Sequence, residues 1–100
     1  AVARKVAVQR VEIGFLRGHA YRVLGNRRRA ARTWREALEW AQRLDARPEA
    51  ARGAALIARS IGTATFAGRA AAAWRAQAER ELAALDLDWD LAQLAKSPTN

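Results

Sequence analysis

A chain of 100 residues, 51% hydrophobic and 28% charged, holds enough apolar material for one folded core, which argues against a disordered chain. Its 26 alanines and 16 arginines, set against 6 glycines and 2 prolines, predict an all-α protein. With no cysteine and a single histidine, His19, no disulfide, metal or cofactor is expected. No stretch approaches the roughly 20 apolar residues that cross a bilayer, and no signal segment opens the chain, so a cytoplasmic protein without a membrane span is expected. A first residue other than methionine leads to the expectation of a processed chain or an excised piece of a larger protein.

Helix stops and caps divide the chain. Gly25-Asn26 ends a first helix, Val2 to Leu24, and starts a second, because glycine accepts the left-handed conformation and asparagine caps free N–H groups. Ala30, Trp34, Ala37, Leu38, Ala41 and Leu44 recur at three and four residues, giving a second helix from Arg27 to Leu44. Pro48 suits the start of a third, which carries Leu56, Ile57 and Ile61 and stops at Gly62. Thr65 is read as the cap of a fourth helix, Phe66 to Leu85, and Asp86 or Asp88 as the start of a short fifth with Trp89, Leu91 and Leu94. No strand pattern competes. The tail is 97–100. Val2, Val6, Val8, Val11 and Ile13 make the first helix more apolar than an uncovered helix should be, which predicts a homodimer through this segment or a preceding repeat packed on it.

Charge is uneven: Ala1 to Arg35 holds nine arginines and one lysine against Glu12, while the remainder nearly balances within a total of +8. Arg27, Arg28, Arg29, Arg32 and Arg35 form a basic patch, with Arg28, Arg32 and Arg35 on one helix face. Pairs Arg32–Glu36, Arg35–Glu39 and Glu39–Arg43 are expected at i, i+4.

Gly18, Tyr21, Gly25, Ala30, Trp34, Ala37 and Leu38 spell G-x2-Y-x3-G-x4-A-x3-W-x2-A-L, which resembles the tetratricopeptide repeat (TPR). Gly14 and Arg17 depart from that pattern, and Pro48 falls six residues later than the repeat would place it. A second copy is then expected at an offset of 40, which maps Trp34 to Trp74, Ala30 to Ala70, Gly18 to Ala58, Tyr21 to Ile61 and Leu38 to Ala78, with Gly25 to Thr65 and Ala37 to Gln77 as misfits. The resemblance implies antiparallel helical hairpins stacked as a short right-handed array with a terminal capping helix: a first hairpin over 1–45, a second, degenerate one over 46–85, and the cap over 86–96. An unrelated four- or five-helix bundle would show the same stripes.

In such an array the first helices of successive hairpins line a concave groove. The resemblance places Glu12, Phe15, His19, Arg22 and Val23 there, joined by Arg52, Ala55 and Arg59 from the second copy. Phe15 would be an apolar anchor and the arginines carboxylate ligands, implying an acidic or amphipathic protein segment as partner. No converging set of nucleophile, base and orienting group is evident, so no enzyme is expected. The alternatives are nucleic-acid binding through the Arg27–Arg35 patch and homo-oligomerisation through the first helix.

Overall fold

The structure, a computed structural model, describes residues 2–96, Val2 by its backbone alone; the predicted tail lies outside the described residues. Five helices are joined in the order α1 (Val2–Val23), α2 (Arg27–Leu44), α3 (Arg47–Ile61), α4 (Ala71–Ala84) and α5 (Asp88–Lys96). A two-stranded antiparallel pair, β1 (Thr65–Phe66) and β2 (Arg69–Ala70), precedes α4. The all-α expectation holds, with this small exception.

Helix ends follow local chemistry. Gly25, at φ +84°, closes α1: its N–H donates to Arg22 O at 3.0 Å and that of Asn26 to Tyr21 O at 2.8 Å. These two bonds satisfy carbonyls that the helix leaves open. Asn26 Oδ1 then accepts from Arg29 N at 3.2 Å and caps α2. Asp45 and Asp86 serve at the ends of α2 and α4 as Gly25 does, with φ of 50° and 56°, an excursion aspartate tolerates better than most residues. Pro48 sits in the first turn of α3, where its missing N–H costs no helical bond.

The expected fourth helix is shorter than the sequence indicates. Thr65 does not cap it and Phe66 does not begin it; Thr65 pairs with Ala70 and Phe66 with Arg69 across the turn Ala67-Gly68. Both turn residues have positive φ, 53° and 74°, as a tight two-residue hairpin requires. The hairpin turns the Phe66 ring inward, where it meets Trp34 edge-on at 5.3 Å and Trp74 at 5.5 Å between centroids. Trp74 Nε1 donates to Phe66 O at 3.1 Å, and the Arg69 guanidinium lies 4.3 Å from the Trp74 ring centroid while donating to Gln77 and Ala73 O. Tertiary contacts therefore displace the first turn of helix. Alanine is not at ease at Ala67, because its Cβ crowds the backbone at positive φ. Ala67→Asn makes the favoured Asn-Gly turn at an exposed position and is expected to raise stability by about 0.5–1 kcal/mol. Urea denaturation of the two proteins tests this, and a fall in midpoint would contradict it.

One core runs through the molecule, built from Val11, Phe15, Trp34, Ile57, Ile61, Phe66, Trp74 and Leu82 with small alanines between them. Gly18 lies against the Trp34 indole so closely that a Cβ there would come within 2.2 Å of it. This contact lets α1 and α2 approach, and Trp34 Nε1 donates across it to Phe15 O at 3.0 Å. Trp34 and Trp74, related by the offset of 40, are both buried and both bind a backbone carbonyl. Their acceptors, however, are not equivalent: Phe15 lies 19 residues before Trp34 and Phe66 only 8 before Trp74. Ala30 is fully buried, whereas Ala70, its mapped counterpart, is exposed on β2. No helix among the described residues is long and apolar enough to cross a membrane.

Candidate interaction surfaces

The sequence places Glu12, Phe15, His19, Arg22, Arg52 and Arg59 in one groove; the structure distributes them between core, interhelical ties and surface. Phe15 is corrected from anchor to core: it is 3% exposed, and its ring fills the space over Gly53, where a Cβ would lie 2.3 Å away. The absent side chain on α3 makes the slot that Phe15 occupies. His19 and Arg22 fasten α1 to α3. Ser60 Oγ donates to Leu56 O at 2.7 Å, so its oxygen accepts from His19 Nδ1 at 2.8 Å. The serine proton is thus committed to a backbone carbonyl, and this His–Ser pair is a structural tie. Arg22 Nη2 donates to Ile61 O at 3.2 Å; burial, and then the nearby charge of Arg27, lower its pKa from the ordinary arginine value.

Arg52 binds Asp90 through Nε at 3.1 Å and Nη2 at 3.4 Å, and also lies 3.9 Å from Glu49. Asp90 on α5 therefore already holds the carboxylate position that the sequence reading assigns to a ligand. Glu12 and Arg59 remain exposed. Around Arg52 and Arg59, a shallow hollow of about 290 Å³ is bordered by Ala55 and Trp89. Leu94 anchors α5 in the core and Leu91 is half-buried, but Trp89 is 72% exposed and does not serve as capping bulk.

The basic patch is wholly at the surface: Arg27, Arg28, Arg29, Arg32 and Arg35 are all exposed. The expected pairs Arg32–Glu36, Arg35–Glu39 and Glu39–Arg43 do not form; the ion pairs among the described residues join Arg52 to Glu49 and Asp90, and Arg75 to Glu79. Arg29 instead lies 5.8 Å from the Tyr21 ring centroid. Holding two long side chains in one geometry at a wet surface gains little, which accounts for the open geometry.

No protein family, curated protein or solved structure matches this chain. The surface chemistry must therefore carry the functional reading. Its most informative element is α1, whose inner face buries Val11 and Phe15 while its outer faces expose Val6, Ile13, Leu16 and Val23. Between α1 and α2 opens a cleft of about 790 Å³, with Val6, Ile13 and Trp40 as walls and Val11, Gly14 and Ala37 as floor. Gly14 and Ala37 create the hollow: a Cβ on Gly14 would stand 3.1 Å from that of Ala37, so the helices approach closely with almost no side chain above the contact. The Trp40 wall is braced by Arg43, whose guanidinium lies 5.4 Å from the ring centroid. Val6 and Ile13 belong to the apolar excess visible in the sequence, whereas Trp40 is not singled out there. The helical spacing already carries that signal, since Trp40 lies six residues after buried Trp34 and so points to a different side of α2.

Proposed function

We propose that this chain is a non-catalytic protein-interaction module, a short TPR-like array of helical hairpins that binds a protein segment. The carrying observation is that α1 is apolar on opposite sides. One side meets the core, and the other exposes Val6 at 44%, Ile13 at 48% and Leu16 at 60%. A surface helix in a self-sufficient domain has one apolar stripe, and a second stripe is characteristic of a helix with a further protein neighbour. Hairpin closure over Gly18 and Trp34, and the burial of both Trp34 and Trp74, support the TPR-like reading.

A second reading, nonspecific nucleic-acid binding, is favoured by one observation: five exposed arginines in the first half of α2 without carboxylate partners among the described residues. Titration with duplex DNA separates the two. The module reading expects weak binding that is insensitive to Arg28→Ala, Arg32→Ala and Arg35→Ala together. Tight binding that falls by up to about 500-fold between roughly 50 and 200 mM salt, and is abolished by the triple substitution, would replace it with the phosphate reading.

A further inference from the structure

The partner's chemistry is written on the α1–α2 cleft. Along α1, Val6, Arg10, Ile13 and Arg17 follow one another at four, three and four residues and so share a face, alternating apolar side chain and guanidinium. All four line the cleft, opposite Trp40 and Glu36. Arg10 and Arg17 are exposed, and neither takes part in an ion pair among the described residues. The lined stretch of α1, Ala3 to Arg17, is about 21 Å long at 1.5 Å per residue, or about four helical turns.

These dimensions suit a helix laid lengthwise, because Val6 and Ile13 lie two turns apart and match the i, i+7 spacing of an amphipathic helix's apolar face. The charge selects the sign of the partner. Among the described residues, Glu36 is the only acidic one lining the cleft, and the arginine excess of the first 35 residues reinforces the local positive field. A second copy of this chain is disfavoured for the same reason: an antiparallel α1 pair centred between Ile13 and Gly14 sets Arg10 against Arg17, and a parallel pair sets Arg10 against Arg10.

We propose that the α1–α2 cleft binds an amphipathic, acidic α-helix of a partner protein, its apolar face against Val6, Ile13 and Trp40 and its carboxylates on Arg10 and Arg17. The proposal rests on the interaction-module reading and moves the binding site from the expected groove to the outer side of the first hairpin.

The test is selection of a displayed library of randomised helical peptides on the full chain, followed by anisotropy titration of the selected peptides. Acidic amphipathic sequences are expected to be enriched. Ile13→Asp, Trp40→Ala, and the pair Arg10→Glu with Arg17→Glu are each expected to weaken binding about tenfold or more, while Arg59→Glu leaves it unchanged. Replacing the peptide's glutamates with lysine is expected to restore binding to the charge-reversed pair, which a merely misfolded variant would not show. Enriched peptides that ignore the cleft variants and respond to Arg59→Glu would overturn the cleft and preserve the module. Enrichment of basic or non-helical sequences would overturn the acidic helix. No enrichment at all would overturn both readings. A concentration-dependent dimer lost on Ile13→Asp, seen by light scattering, would replace the partner with a second copy.

Discussion

Trp34→Ala is expected to lower unfolding free energy by about 3–5 kcal/mol, a large fraction of the roughly 5–15 kcal/mol typical of a whole domain. Trp34 is 1% exposed, closes over Gly18, donates its indole N–H to Phe15 O and meets Phe66 edge-on. Truncation removes all of these at once and leaves a cavity between α1, α2 and β1. Trp40→Ala and Trp89→Ala, at positions 52% and 72% exposed, are expected to change stability by no more than about 0.5 kcal/mol. Urea titrations of the three variants give the comparison directly. Similar losses at all three positions would contradict the assignment of Trp34 as the centre of the core.

Gly18→Ala and Gly53→Ala are the second pair, and their interest lies in the sign. Replacing a mid-helix glycine by alanine ordinarily stabilises by about 0.5–1 kcal/mol through backbone entropy. Here the new methyl meets an aromatic ring: at Gly18 it falls 2.2 Å from Trp34 Nε1, and at Gly53 it falls 2.3 Å from Phe15 Cζ. Both rings are buried, so neither can swing into solvent. Each substitution is therefore expected to destabilise by about 1–3 kcal/mol net, as overpacking does. Thermal melts of the two variants decide it; unchanged or raised midpoints would show that the rings have room to move.

The outline of the fold is legible because its punctuation is local. Gly25-Asn26, Pro48 and Gly62 act through their own backbone preferences, and the stripe containing Ala30, Trp34, Ala37 and Ala41 needs only helical spacing to be seen. The hairpin at Thr65–Ala70 is not legible, since two-residue strands carry no alternation and Ala67 adopts a conformation against its own propensity. What holds it is Phe66 between two tryptophans, one of them 32 residues upstream. The residues of the candidate groove are distributed differently from the spacing for a related reason. Spacing puts Phe15 on the right side of α1, but whether it faces a ligand or the core depends on Gly53 in another helix. Likewise Arg52 is separated by 38 residues from the carboxylate that occupies it. Sequence periodicity reports which side of a helix a residue takes, while the identity of the neighbour is a long-range property.

Phe66 also determines how the molecule comes apart. In a stack of hairpins joined only through neighbouring faces, one hairpin can fray while the other persists, because stability is a sum of nearly separable units. Here the Phe66 side chain, from the connection before α4, is wedged between Trp34 of the first hairpin and Trp74 of the second, and the Phe66 backbone carbonyl accepts a hydrogen bond from the Trp74 indole N–H. Loss of either hairpin strips that ring of one of its two aromatic neighbours, so the halves are expected to unfold together. The amides around Trp34 and Trp74 are therefore expected to exchange with solvent through one common opening, which hydrogen-exchange rates measure directly.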